Sequence, residues 1–192
     1  METDENAGQY MISYGEGPGS DTRHVLSNFI NIGETVLDVG CGPGHNYDHF
    51  QEYGPAIKDY LGLDYSKRFV RAANQRNPGK YLFGDCRDLP MPDNSWDVVI
   101  MQDVLEHTNG YEKPLDEALR VARKRIIVAF WHLMDKDEDN SINDDGDDGW
   151  GAWYSRSKWE KYLDKLKLDW FHHQIIDQQG KARDFYVIER EA

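Results

Sequence analysis

Cysteine is scarce in this chain. Its 192 residues include two, Cys41 and Cys86, which form no CxxC metal or redox spacing, and a reduced, cytoplasmic setting is the expectation. Positive charge is also short, with 22 Lys plus Arg against 35 Asp plus Glu and a net charge of -13. Such a chain repels phosphate backbones, which argues against a nucleic-acid partner. Long apolar runs are missing, so no membrane span is expected. The opening METDEN lacks the basic and apolar regions of a secretory signal. With 39% hydrophobic and 30% charged residues, what remains is an ordinary globular composition, enough for one core without metal or disulfide staples.

Strand and helix signals alternate along the chain. After a glycine-rich N-terminal arm, a helix starts at Ser20 or Asp21. The short apolar runs 35–39, 60–63, 81–83, 96–101 and 125–131 suit buried parallel strands. Helices are expected at 46–53, after a Ser66 cap, and at 114–123, with one more around 157–166. Two last strand candidates, 168–176 and 185–188, flank a hairpin-like break. The expected fold is α/β: a Rossmann-like, doubly wound, mostly parallel seven-stranded sheet with helices on both faces and a C-terminal antiparallel hairpin. A single domain over 1–192 is expected, with an arm and helix at 1–30 and an acidic, aromatic insertion loop at 134–154.

In such sheets ligands lie beyond the carboxyl ends of the strands. At the first end stands Asp38-Val39-Gly40-Cys41-Gly42-Pro43-Gly44. Its glycines remove side chains where the backbone turns sharply and approaches a ligand. The spacing is GxGxG, and His45 stands where a dinucleotide fingerprint wants Gly or Ala, which counts against NAD or FAD. This segment resembles the first motif of class I S-adenosylmethionine-dependent methyltransferases, and the resemblance runs from Thr35 to Trp131, about half the chain.

The resemblance implies S-adenosylmethionine as cofactor. Its expected ligands are Arg23 for the methionine carboxylate, Asp38, the turn residues Gly40, Cys41, Gly42 and Gly44, Asp64 for the ribose hydroxyls with Tyr65 beside it, and Asp85 with Cys86 for adenine. Gln102 opens the run Gln102-Asp103-Val104-Leu105-Glu106-His107, which is similar to the segment passing the methionine moiety in the small-molecule, type 11-like branch. That branch implies methyl transfer to a small-molecule acceptor, with O-methylation favoured. No Asn/Asp-Pro-Pro-Tyr/Phe sequence follows the fourth strand, as it does in nucleic-acid amino-methyltransferases. The alternative is a non-catalytic S-adenosylmethionine-binding regulator or partner subunit.

A hydroxyl or thiol acceptor calls for a general base, and His107, His132 and Asp103 are the candidates, with Glu106 able to share that work. Trp131, Trp150, Trp153 and Tyr154 bracket the side where an organic acceptor would enter. Adjacent His172 and His173 point to opposite faces of a strand, so no metal pair is expected there. Arg120, Arg123, Lys124 and Arg125 are read as offsetting a helix macrodipole. Asp135, Asp137 and Asp139 resemble the opening of an EF-hand loop, but Asn140 and Gly146 break the pattern, so a solvated acidic loop without metal is expected.

Overall fold

A computed structural model describes residues 20–143, 150–177 and 180–190. The expected N-terminal arm and the centre of the acidic loop lie outside them. The described chain runs α1 (Ser20–Ser27), β1 (Thr35–Val39), α2 (His45–Glu52), β2 (Asp59–Asp64), α3 (Lys67–Arg76), β3 (Tyr81–Phe83) and β4 (Trp96–Gln102). A 3-10 turn (Leu105–His107), α4 (Glu112–Val121), β5 (Ala122–Phe130) and β6 (Leu133–Met134) follow, then β7 (Asn140–Asn143), β8 (Trp150–Ser155), α5 (Arg156–Lys165), β9 (Asp169–Ile176) and β10 (Ala182–Glu189).

The main sheet has seven strands in the order β3-β2-β1-β4-β5-β10-β9. The first five are parallel, and β10 runs antiparallel to both β5 and β9. Strand order reverses between β1 and β4, so a crevice opens where their carboxyl ends diverge. Alternate side chains leave the sheet on opposite faces. Leu37, Val39, Val99, Met101, Ile126 and Val128 pack against Leu115, Ala118, Trp159 and Leu163 of α4 and α5. Val36, Val98, Ile100, Ile127 and Ala129 pack against Leu26, Phe50 and Ala73 of α1, α2 and α3. The sheet is thus covered twice, as the uninterrupted apolar runs of its central strands require. Ser66 caps α3 by accepting from the Phe69 N–H at 3.3 Å.

Two expectations are corrected. The helix placed at 114–123 ends at Val121, and Ala122 already belongs to β5. Only Arg120 therefore stands in its last turn. The other three cations sit on a strand and pair with carboxylates, Arg123 and Lys124 with Asp97 and Arg125 with Glu34 and Glu189. The acidic stretch is not simply a solvated loop. β7 and β8 pair antiparallel, and β6 joins β8 to make a three-stranded sheet. Its carboxylates turn toward the start of α5: Asp139 accepts from the Ser155 N–H at 2.7 Å, Asp137 from the Ser157 hydroxyl, and Asp135 faces Arg156. Negative side chains there complement the exposed N–H groups of the helix start. Spread along a helix end, they do not converge, and no metal-holding group of three or more His, Cys, Asp or Glu exists among the described residues. His172 and His173 do face apart, one stacked on Tyr186 and bonded to Asp184, the other against Phe29.

Candidate active site

The N–H groups of Gly40 and Cys41 both donate to the Leu63 carbonyl, at 2.7 and 3.1 Å, which ties the β1 turn to β2. Gly40 has φ +73, and a Cβ there would stand 2.2 Å from Val104 Cγ2, so packing demands glycine. Gly42, with φ +53, would place a Cβ in open space, leaving bare backbone on the turn. Gly44 caps α2 in a left-handed conformation. The Cys41 side chain is buried in the core, where burial pushes its thiol up, so only its backbone stands at the turn.

Beneath the turn Asp38 is fully buried. Its Oδ2 accepts from the Tyr60 hydroxyl at 2.6 Å and from Asn46 Nδ2 at 3.2 Å, while Oδ1 has no partner. Burial pushes its carboxyl up to about 6 against the pull of those two hydrogen bonds. Arg23 reaches from α1 and donates Nε to Asn46 Oδ1 at 3.2 Å. Burial lowers its guanidinium, and the charges of Asp103, Asp38 and Asp48 oppose that. Neither Tyr60 nor Asn46 announces this role in the sequence; only their convergence on Asp38 does.

Asp64 closes β2 with both oxygens bound by backbone, Oδ2 to the Gly42 N–H at 2.8 Å and Oδ1 to the Ser66 N–H at 2.7 Å. Burial raises its carboxyl, opposed by those N–H groups and by the nearby His107. Tyr65 is exposed, its ring 5.7 Å from that of Phe83. Asp85 lies beyond β3 in a fork with Arg87, at distances from 2.6 to 3.2 Å, which holds its carboxyl below the usual range. Both Asp85 oxygens are thus engaged. Burial pushes the neighbouring Cys86 thiol up to about 11.

Beyond β4, Gln102 Oε1 is buried without a donor, and Asp103 takes an uncommon φ of +54. Asp103 faces Arg183 at 3.6 Å, an ion pair too long for a direct hydrogen bond. Glu106 is buried, accepts the Trp131 N–H on Oε1, and has an unpartnered Oε2. Burial, and next the charge of Asp103, push its carboxyl up to about 8. Glu106, His107, Trp131, His132, Trp153 and Lys181 line a cavity of about 510 Å³. The two histidine candidates therefore share one wall with a buried acid, and the His132 ring lies edge-on to Trp153 at 5.7 Å. Asp103 is not part of the cavity's lining.

Residues 37–130 match the family model described as a methyltransferase domain. Just under half of the chain is thus a class I S-adenosylmethionine-dependent methyltransferase domain. The chain is 33% identical over 104 residues to the demethylmenaquinone methyltransferase of Renibacterium salmoninarum, covering 52% of this chain and 43% of that protein. It is 32% identical over 106 residues to the malonyl-(acyl-carrier protein) O-methyltransferase of Yersinia pestis, covering 55% and 39%. The matches thus span about two-fifths of these curated relatives. Among solved structures, a chain of the complex between the Haloferax volcanii Trm112 methyltransferase activator and a methyltransferase superposes with TM-score 0.78 at 14% identity, covering 100% of this chain and 97% of that one.

The cofactor of this methyltransferase family has a zwitterionic amino-acid end, a ribose diol and an adenine. The residues present fit it. Asp38 Oδ1 and Gln102 Oε1 are buried acceptors lacking a donor, and Arg23 brings a half-buried cation close to Asp38. Asp64 stands under the bare backbone of Gly42.

Proposed function

We propose that the chain transfers the methyl group of S-adenosylmethionine to a small organic nucleophile, with oxygen as the favoured acceptor atom. The observation that carries this reading is the cavity of about 510 Å³ holding His107, His132 and Glu106 at the end of β4, one residue run from the unpartnered Gln102. The names of the two curated relatives specify a quinone-type acceptor and a malonyl group borne on a carrier protein, which supports an organic acceptor.

Bound cofactor supplies an activated methyl on a sulfonium, so the protein's task is alignment and proton handling. Asp38 Oδ1 and Arg23 would hold the ammonium and carboxylate of the amino-acid end, Asp64 the ribose hydroxyls, and Tyr65, Asp85 and Cys86 would flank the adenine. Gln102 and Asp103, beyond β4, would lie along the cofactor's methionine end. His107 and His132 stand where a base can take the acceptor proton, and protonated Glu106 donates from Oε2 to an acceptor oxygen. Trp131 and Trp153 give the cavity flat apolar walls.

Calorimetry with S-adenosylmethionine and S-adenosylhomocysteine, using Asp64→Ala as control, tests the shared site. Acceptor-dependent release of S-adenosylhomocysteine from metabolite pools then separates an enzyme from a sensor. Wild-type protein that binds neither compound would refute the proposal.

A further inference from the structure

β10 runs antiparallel beside β5, which brings its first residues to the edge where the parallel strands end. Lys181 and Arg183 arrive there together. The Lys181 ammonium and the Arg183 guanidinium each lie 5.6 Å from the centre of the Trp131 ring, within the range of cation–π attraction. Trp131 is half exposed and lines the acceptor cavity, as does Lys181.

The charge around this spot is uneven. Arg183 is balanced by Asp177, at 3.1 Å, and by Asp103, and its Nη1 is buried without a hydrogen-bond partner. No carboxylate pairs with the Lys181 ammonium among the described residues. A chain with a net charge of -13 thus leaves a cation uncompensated at the wall of its acceptor cavity. Glu106, the carboxyl on that wall, is held neutral at pH 7 by burial, so it does not repel an anion. His107 and His132, on the same wall, bring no negative charge to it. The indoles of Trp131 and Trp153 offer flat apolar surface beside it.

We infer that the cavity takes a planar organic carboxylate, its ring or unsaturated body between Trp131 and Trp153 and its anionic group on Lys181, with Arg183 behind. This rests on the methyltransferase reading and narrows its acceptor class. It leaves open neither sign nor shape: a cationic or bulky polyhydroxyl acceptor does not suit these walls.

The test uses the whole chain saturated with S-adenosylhomocysteine and titrated with trans-cinnamate or with cinnamyl alcohol, its neutral counterpart. Cinnamate is expected to bind roughly tenfold more tightly than the alcohol, with the advantage shrinking as salt is raised. Lys181→Met should bring cinnamate down to the level of the alcohol, and Lys181→Arg should restore most of the difference. Lys181 is exposed, so neither substitution threatens folding. Equal affinities for the two probes, no binding of cinnamate, or an unchanged preference in Lys181→Met would each overturn the inference. Failure of S-adenosylhomocysteine itself to bind would instead overturn the methyltransferase reading, and the inference with it.

Discussion

Asp38→Asn should stabilise or spare the empty protein while weakening cofactor binding, two effects of opposite sign from one atom. Burial raises the Asp38 carboxyl from 3.8 to about 6. At roughly 1.4 kcal/mol per unit, holding the charged form above pH 6 costs the fold about 3 kcal/mol. Because the folded value lies above the unfolded one, the unfolded chain loses its proton first. Wild-type stability therefore falls as pH rises from about 4 to about 6 and is flat in this respect above that. The amide keeps an oxygen for Tyr60 and Asn46 but puts an unpartnered NH₂ where Oδ1 stood, at a cost of about 1–3 kcal/mol. The net change at pH 7 is about 0–2 kcal/mol in favour of the variant.

Binding moves the other way. Losing a charge-assisted partner for the cofactor ammonium removes about 1.5–3 kcal/mol, a roughly tenfold to hundredfold loss of affinity. In the wild type the affinity itself should climb with pH up to about 6, because a proton must leave Asp38 when the ammonium arrives. Urea unfolding between pH 4 and 8, paired with calorimetric titration of S-adenosylhomocysteine, measures both. A variant that binds as tightly as wild type, or whose stability keeps the slope between pH 4 and 6, would refute the assignment of Oδ1.

Gly40→Ala should lose about 2–4 kcal/mol by thermal unfolding, since its Cβ would overlap Val104, whereas Gly42→Ala should lose only about 1 kcal/mol and yet bind the cofactor poorly. Asp64→Ala should weaken S-adenosylhomocysteine binding by more than tenfold, because it frees the N–H groups of Gly42 and Ser66 as well as removing the ribose acceptors; Asp85→Ala, whose carboxylate is engaged by Arg87, should weaken it less. For Glu106, raised from 4.5 to about 8, the same sign argument makes wild-type stability fall as pH rises from about 4.5 to about 8. Glu106→Gln should flatten that stretch of the unfolding profile, and an unchanged slope would mean the carboxyl is not held neutral.

Much of the fold is legible in one dimension because parallel strands buried on both faces must be short, apolar and separated by capped helices. The 81–83 strand and the Ser66 cap are readable for that reason. What misled was local ambiguity. Pro114 falls inside the first turn of α4, where proline is tolerated, so the helix begins two residues before it. The strands β7 and β8 are short and separated by an acidic, glycine-containing stretch, and composition alone reads as loop.

The turn proposed to take the cofactor is legible for a related reason. Gly40, Gly42 and Asp64 answer to backbone geometry at two neighbouring strand ends, and backbone demands leave a mark in residue type and spacing. Partnerships between side chains are different. Asn46 and Tyr60 come to Asp38 from separate elements on the cofactor side, and on the acceptor side the start of β10 brings Lys181 and Arg183 to Trp131 from some fifty residues away in the chain. From the sequence alone came the family, the sheet and the methyl-donor turn. Tertiary structure decided which acids are buried and in which direction their proton affinity moves, and which cations reach the cavity, because desolvation and cross-sheet proximity are properties of the packed molecule and not of any segment of it.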